Sequence, residues 1–214
     1  IKRLSILINY LYPETVAMIM KKIFLSLFVV CLLGKVNAQQ IPDKSTQIKT
    51  AVLAAPDEFR KDAKVYGYDS SGDWAVLREG SNGMICIADD PNSDGFSVSC
   101  YHEALEPFME RGRELKKEGK NFKQIFDIRE EEAKSGKLEM PSAPSSLYVL
   151  SAEKSDFDAS KGKVDNTYLR YVVYIPWATQ ESTGLALKPD VPGMPWIMNP
   201  GTHRAHIMIS PPKD

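Results

Sequence analysis

Residues 81–112, SNGMICIADDPNSDGFSVSCYHEALEPFMERG, decide the fold. Ser81, Asn82 and Gly83 form a turn, because Asn and Gly tolerate the positive φ of a tight reversal. Residues 84–88 then read as a strand, and the polar run 89–95, with Pro91, Asn92, Asp94 and Gly95, as a loop. Over 96–101, Phe96, Val98 and Cys100 alternate with Ser97 and Ser99, the period of a half-buried strand. A hairpin loop of residues 91–95 sets Phe96 across from Asp90, Val98 across from Ala88 and Cys100 across from Cys86. Cβ atoms so paired lie about 4.5–5.5 Å apart, close to disulfide geometry. A Cys86–Cys100 disulfide is the favoured reading for an exported chain, and two buried thiols on a sheet face the competing one. The lack of a Cys-x-x-Cys spacing speaks against a redox-active pair.

The loop has a second reading. Asp90, Asn92, Asp94 and Gly95 spell D-x-N-x-D-G, the first half of an oxygen-rich calcium loop. Calcium takes about six to eight oxygen ligands, which alternating short acidic side chains around a glycine turn can supply. Tyr101 stands where such a loop has its bidentate glutamate, and the flanks read as strands. A solvated hairpin loop is thus the favoured expectation and a calcium site the alternative.

Upstream, residues 20–40 read MKKIFLSLFVVCLLGKVNAQQ. Two lysines, an apolar run over 23–33 and the small-residue site Val36-Asn37-Ala38 make a secretory signal peptide. The run is too short to cross a membrane as a helix, and no later segment qualifies. Residues 1–19 read as upstream translation, with Met18 or Met20 as the start; 20–38 is the leader, and 39–214 a single mature domain of 176 residues. The leader region holds Lys2, Arg3, Lys21, Lys22, Lys35 and Glu14, so 27 basic and 28 acidic residues become 22 and 27, a balance of −5. A mildly acidic domain gives no electrostatic case for nucleic acid or an anionic membrane surface. Export places it in the periplasm or outside the cell.

Along the mature chain, Ser45 is positioned to cap a short helix carrying Ile48, Ala51, Val52 and Ala55. Residues 64–68 and 74–78 read as strands and complete a four-strand antiparallel meander with the central hairpin. From His102 the period is helical. Pro107 opens one helix with Phe108, Met109, Gly112 and Leu115 toward the core. Asn121 caps a second with Phe122, Ile125, Phe126 and Ala133 on its apolar face, and Glu130, Glu131 and Glu132 on a solvated one. Strands follow at 147–150, at 168–175 (covered on both sides) and at 206–210, with a polar, flexible excursion over 152–166. The proline-rich run 186–201 is expected to wrap over the core, or else to form a groove wall with Trp177 and Trp196.

The histidines are His102, His203 and His206, with Glu103 and Glu106 close to the first. Converging at strand ends, His102 and His206 with a carboxylate would suit zinc with an open water position, and Glu103 or Glu106 could act as general base. His203 and His206 are three apart, which splits them across the faces of a strand, so His206 is expected to point inward alone. Isolated hydrogen-bonding or surface histidines are the favoured expectation, since H-E-x-x-H is absent. The chain also lacks G-x-S-x-G, a Walker loop and G-x-G-x-x-G.

The segments NGMICIADDP (82–91), CYHEALEPFMERGREL (100–115) and PWIMNPGTHRAHIMI (195–209) resemble stretches of a family of exported bacterial proteins of unknown function. The resemblance spans most of the mature chain and implies bacterial export and one compact domain. It brings no activity, substrate or catalytic residue. The chain as a whole reads as α+β: a mostly antiparallel sheet with the helical pair of 107–135 packed on one face. The expected function is a non-enzymatic binding or interaction domain for an unidentified protein or small molecule. A metal-dependent hydrolase built on His102, His206 and Glu103 or Glu106, and a structural envelope component, are the alternatives.

Overall fold

The computed structural model describes residues 41–213; the expected upstream stretch 1–19 and the expected leader 20–38 lie outside the described residues. Asp43 opens helix α1 (Lys44–Ala51), its Oδ1 accepting from the Thr46 amide at 2.9 Å, so the cap lies two residues before the expected Ser45. A 3-10 turn (Val52–Ala54) and the short α2 (Asp57–Arg60) follow. Next come β1 (Lys64–Tyr68), β2 (Trp74–Arg78), β3 (Met84–Ile87) and β4 (Gly95–His102). A 3-10 turn (Glu103–Leu105) leads into α3 (Glu106–Lys117), with Pro107 in its first turn. The Asn121 and Gln124 side chains and amides bond reciprocally and start α4 (Phe122–Lys134). The remaining elements are β5 (Ser145–Glu153), β6 (Phe157–Asp158), β7 (Lys163–Val164), β8 (Tyr168–Tyr174), α5 (Gln180–Thr183), β9 (Trp196–Met198) and β10 (His206–Ile209).

Eight strands form one sheet in the order β2-β1-β3-β4-β5-β8-β10-β9. The expected meander is corrected here: β2 lies outside β1, and β1 pairs with β3 in parallel. The cause is Gly80. A Cβ there would sit 2.1 Å from the Lys64 nitrogen, so only glycine lets the chain leaving β2 pass this close to the start of β1. Ser81 then donates its amide to Asp62 O (2.9 Å) and Asn82 its side-chain amide to Phe59 O (2.7 Å), anchoring the crossover. The other ladders of this sheet are antiparallel.

The pleat sorts the sheet into two faces, each with its own apolar cluster. One face sets Val65, Cys86, Phe96, Val98, Cys100 and Leu150 against Ala51 and Ala54 of α1 and its 3-10 extension. The other sets Ile85, Tyr101, Val172 and Tyr174 against Leu105 and Phe108 on the α3 side. The fold is α+β, with the α3–α4 pair on one face and α1 on the other. Cys86 and Cys100 are register partners, fully buried, and joined in a disulfide. The whole eight-stranded sheet, both clusters and this disulfide belong to one compact unit, Ile41–Asp214.

Several local expectations change. β5 runs well beyond 147–150, because β4 and β8 pair with it along its length. The 152–166 excursion contains the β6–β7 hairpin, pinned by Phe157 against Phe96 (4.8 Å) and by the Lys154–Asp89 ion pair (2.9 Å). The proline-rich run contains β9, an edge strand, where Pro195 just before it costs no central ladder bond. β8 is open on one face at Tyr171, 38% exposed. Phe122 is 69% exposed, since it opens α4 at its outer end rather than facing the core.

Candidate functional site

His102 ends β4, and the register puts it across from Met84, which packs in the α1-side cluster. His206 begins β10 across from Tyr174, which packs in the α3-side cluster. Register partners share a face, so the two imidazoles lie on opposite faces of the sheet. They are also three strand spacings apart, about 14 Å. Two zinc ligands must each come within about 2 Å of one ion, so the structure does not bring His102 and His206 into one site. Among the described residues no group of three or more His, Cys, Asp or Glu is placed to hold a metal ion.

Of the two carboxylates near His102, Glu106 is engaged elsewhere. Glu106 accepts from the Tyr101 hydroxyl (2.5 Å) and from Arg113 Nη2 (2.7 Å), while Arg113 Nη1 donates to the same hydroxyl (3.0 Å). Burial, opposed in part by Arg113, pushes the Tyr101 hydroxyl far above its ordinary value. Glu103 is exposed and donates its backbone amide to Gly83 O (2.8 Å). His102 itself accepts at Nδ1 from the Ala104 amide (3.2 Å), which leaves Nε2 as the N–H of its neutral form. It lines a depression of about 290 Å³ together with Ala104, Pro144, Ser145, Ser146 and Val173. That lining holds an imidazole and hydroxyls but no carboxylate to orient the ring as a base.

In the hairpin loop, Asp90 Oδ1 accepts from the Asn92 amide (3.0 Å) and Oδ2 lies 3.5 Å from Lys116 Nζ. Asp90 is thus engaged in closing the turn and pairing with α3. Neighbouring Asp89 accepts from the Ser97 amide (2.8 Å) and pairs with Lys154.

The buried ionic chemistry lies where the sequence reading expected a solvated helix face. Glu130 Oε2 accepts from the His203 amide (3.0 Å) and meets His203 Nδ1 at 2.5 Å, while Oε1 meets Lys134 (2.9 Å). Burial acts to raise the Glu130 carboxyl, but Lys134 and His203 outweigh it and hold it at about 2. Burial pushes the His203 imidazole down, against the pull of Glu130 and with added repulsion from Arg129 and Arg204. The pair is therefore a carboxylate and a neutral imidazole donating through Nδ1, with Nε2 buried and without a partner among the described residues. Glu132 likewise pairs with Arg111 (2.8 Å). His203 is fully buried because it lies in the loop before β10, where strand alternation does not govern which way it turns; His206 is buried as expected. Phe126 and Phe108 enclose the His203 ring, with centroids 4.9 and 5.7 Å away. With the imidazole fully buried and the carboxylate only slightly exposed, this dyad holds the loop to α4. The i to i+4 spacing of Glu130 and Lys134 was its sequence signal, but the third member lies 73 residues away.

The second arrangement missed from sequence is an aromatic and cationic surface at the β1–β2 end of the sheet. Tyr66 and Trp74 stack (5.5 Å, 16° between planes), and Tyr68 meets Trp74 edge-on (5.5 Å). The Arg113 guanidinium lies 5.2 Å from the Tyr66 ring and 5.5 Å from the Trp74 ring, and Lys64 Nζ is 4.9 Å from Tyr66. Trp74 (39% exposed) and Val76 (43%) stand on β2, whose outer edge pairs with no strand among the described residues. Alternation marks Tyr66, Tyr68, Trp74 and Val76 as one face only after the β1–β2 register is known.

No helix among the described residues is long and apolar enough to cross a membrane. Comparison with protein-family models, curated proteins and solved structures finds no match, so no relative lends this chain a function.

Proposed function

We propose that this chain is an exported binding domain that takes an extended segment of a partner protein along β2. One observation carries the reading: an edge strand with an unpaired side presents exposed Trp74 and Val76 on an aromatic surface that Arg113 backs. Added strands gain main-chain hydrogen bonds from such an edge and side-chain specificity from alternate positions. Trp, Tyr and Arg are the side chains that most often dominate interface energies. The buried disulfide and the signal-peptide pattern support the exported setting. The hydrolase alternative draws no support from histidines on opposite faces and a Glu106 already paired.

The test is selection of peptides from a random linear library on immobilised protein, compared with Val76→Lys and Trp74→Ala. Enriched peptides that bind the wild type and lose at least tenfold on both variants are expected, since each change removes about 1.5 kcal/mol or more of contact. No enrichment, or peptides indifferent to both changes, would leave the envelope-component reading in its place. Unchanged melting of Val76→Lys guards against a trivial loss.

A further inference from the structure

The first residue of α4, just past its turn from α3, is the most exposed large apolar side chain in the described residues, Phe122, at 69%. Around it the sequence 116–123 reads KKEGKNFK. The Arg204 guanidinium lies 4.9 Å from the Phe122 ring. Charges near this tip fall into two groups. Lys116 pairs with Asp90, Lys123 with Asp127, and Glu118 with Arg111. Lys117, Lys120 and Arg204 meet no carboxylate among the described residues, and the first turn of α4 contains no acidic residue. An exposed apolar ring, with one cation against it and two lysines without a carboxylate partner among the described residues a few positions before it, is thereby set at one end of the helical pair.

From this geometry we infer that the α3–α4 tip is a peripheral docking point for an anionic lipid bilayer. Phe122 enters the boundary between headgroups and acyl chains, and Lys117, Lys120 and Arg204 meet the lipid phosphates. Charge complementarity and the ring together select this occupant. A soluble polyanion satisfies the lysines but gives Phe122 nowhere to go, whereas a bilayer interface takes both at once. The mature chain's balance of −5 does not oppose this. Charges farther away than about 10 Å are screened at 0.1 M salt, so a membrane meets the tip and not the average. One ring and three cations make a weak, reversible contact rather than an anchor.

The leader-free chain from Ile41 onward, which holds the entire sheet and both cores, is the protein to use. It is sedimented with vesicles of phosphatidylglycerol and, separately, phosphatidylcholine, in 0.1 M and 0.5 M salt. Pelleting with phosphatidylglycerol alone, weakened by salt, is expected. Lys117→Gln with Lys120→Gln should lower partitioning about 25-fold, at about fivefold per cation. Phe122→Ser should lower it about tenfold. All three positions are at the surface, so melting temperatures should stay within a degree or two, and hydrogen exchange over 116–126 should slow only with the anionic vesicles. Equal pelleting with both lipids, none with either, or retention in Phe122→Ser would overturn the proposal. So would polyphosphate binding of the same strength that ignores Phe122, which would identify a polyanion site instead.

Discussion

Gly112 lies inside α3, where alanine would ordinarily add up to about 1 kcal/mol of helix stability. Here a Cβ would come within 2.8 Å of Arg129 Nη1. That guanidinium is held in place: it donates to Phe108 O (3.0 Å), lies 3.9 Å from the Phe108 ring, and is 8% exposed. Its burial also pushes its pKa down to about 10, so it remains charged at neutral pH with no carboxylate paired to it among the described residues. Gly112→Ala is therefore expected to destabilise, by about 1–3 kcal/mol in urea denaturation, through overpacking. A variant as stable as the wild type would mean that Arg129 can move aside. The sequence marked Gly112 as core-facing but contained no hint that an arginine was the neighbour.

The disulfide acts at the level of the β3–β4 hairpin. It closes a loop with a sequence separation of 14 between strands whose register already pairs the two cysteines. Cross-linking a loop of that size restricts the unfolded chain by about 3 kcal/mol. Cys86→Ala with Cys100→Ala is expected to lose about that much in chemical denaturation, with both small side chains still fitting the buried face. A loss below about 1 kcal/mol would indicate that the hairpin register alone keeps the unfolded chain ordered. The pairing was legible because it depends on a short loop and strict alternation. The β1–β3 pairing was not, because it depends on the chain crossing at Gly80, which no periodicity encodes.

Acid response belongs to the whole molecule, because it sums buried groups contributed by distant segments. Burial lowers His203 and also His206, whose Nδ1–H donates to Arg204 O at 2.7 Å. A lowered folded pKa means that the unfolded chain takes up protons first as the pH falls past about 6.5. Stability present above that pH is lost from there downward toward the folded values, by up to about 1.4 kcal/mol per pH unit for each imidazole. Glu130 acts in a lower window: its contribution is complete above its ordinary value of 4.5 and is lost as the pH falls toward about 2. Urea midpoints should drop between pH 7.5 and 5.5. His206→Asn, which retains an N–H donor for Arg204 O, should flatten that drop. A wild-type midpoint independent of pH over this range would rule out two neutral buried imidazoles.

Short-range patterns in the sequence determined the α+β class, the β3–β4 hairpin with Cys86 across from Cys100, the capping of α4 by Asn121 and the burial of Phe108, Leu115 and His206. Each depends on residues within one turn, one hairpin or one period, so local chemistry suffices. Only the tertiary structure decided that His102 and His206 fall on opposite faces, that Glu130 meets His203, and that Tyr66, Trp74 and Arg113 share one surface. Those outcomes depend on sheet order and loop crossings between segments tens of residues apart. Phe122 shows the same limit on a smaller scale: the helical period placed it on the apolar face, but where the helix pair ends decides whether anything covers it.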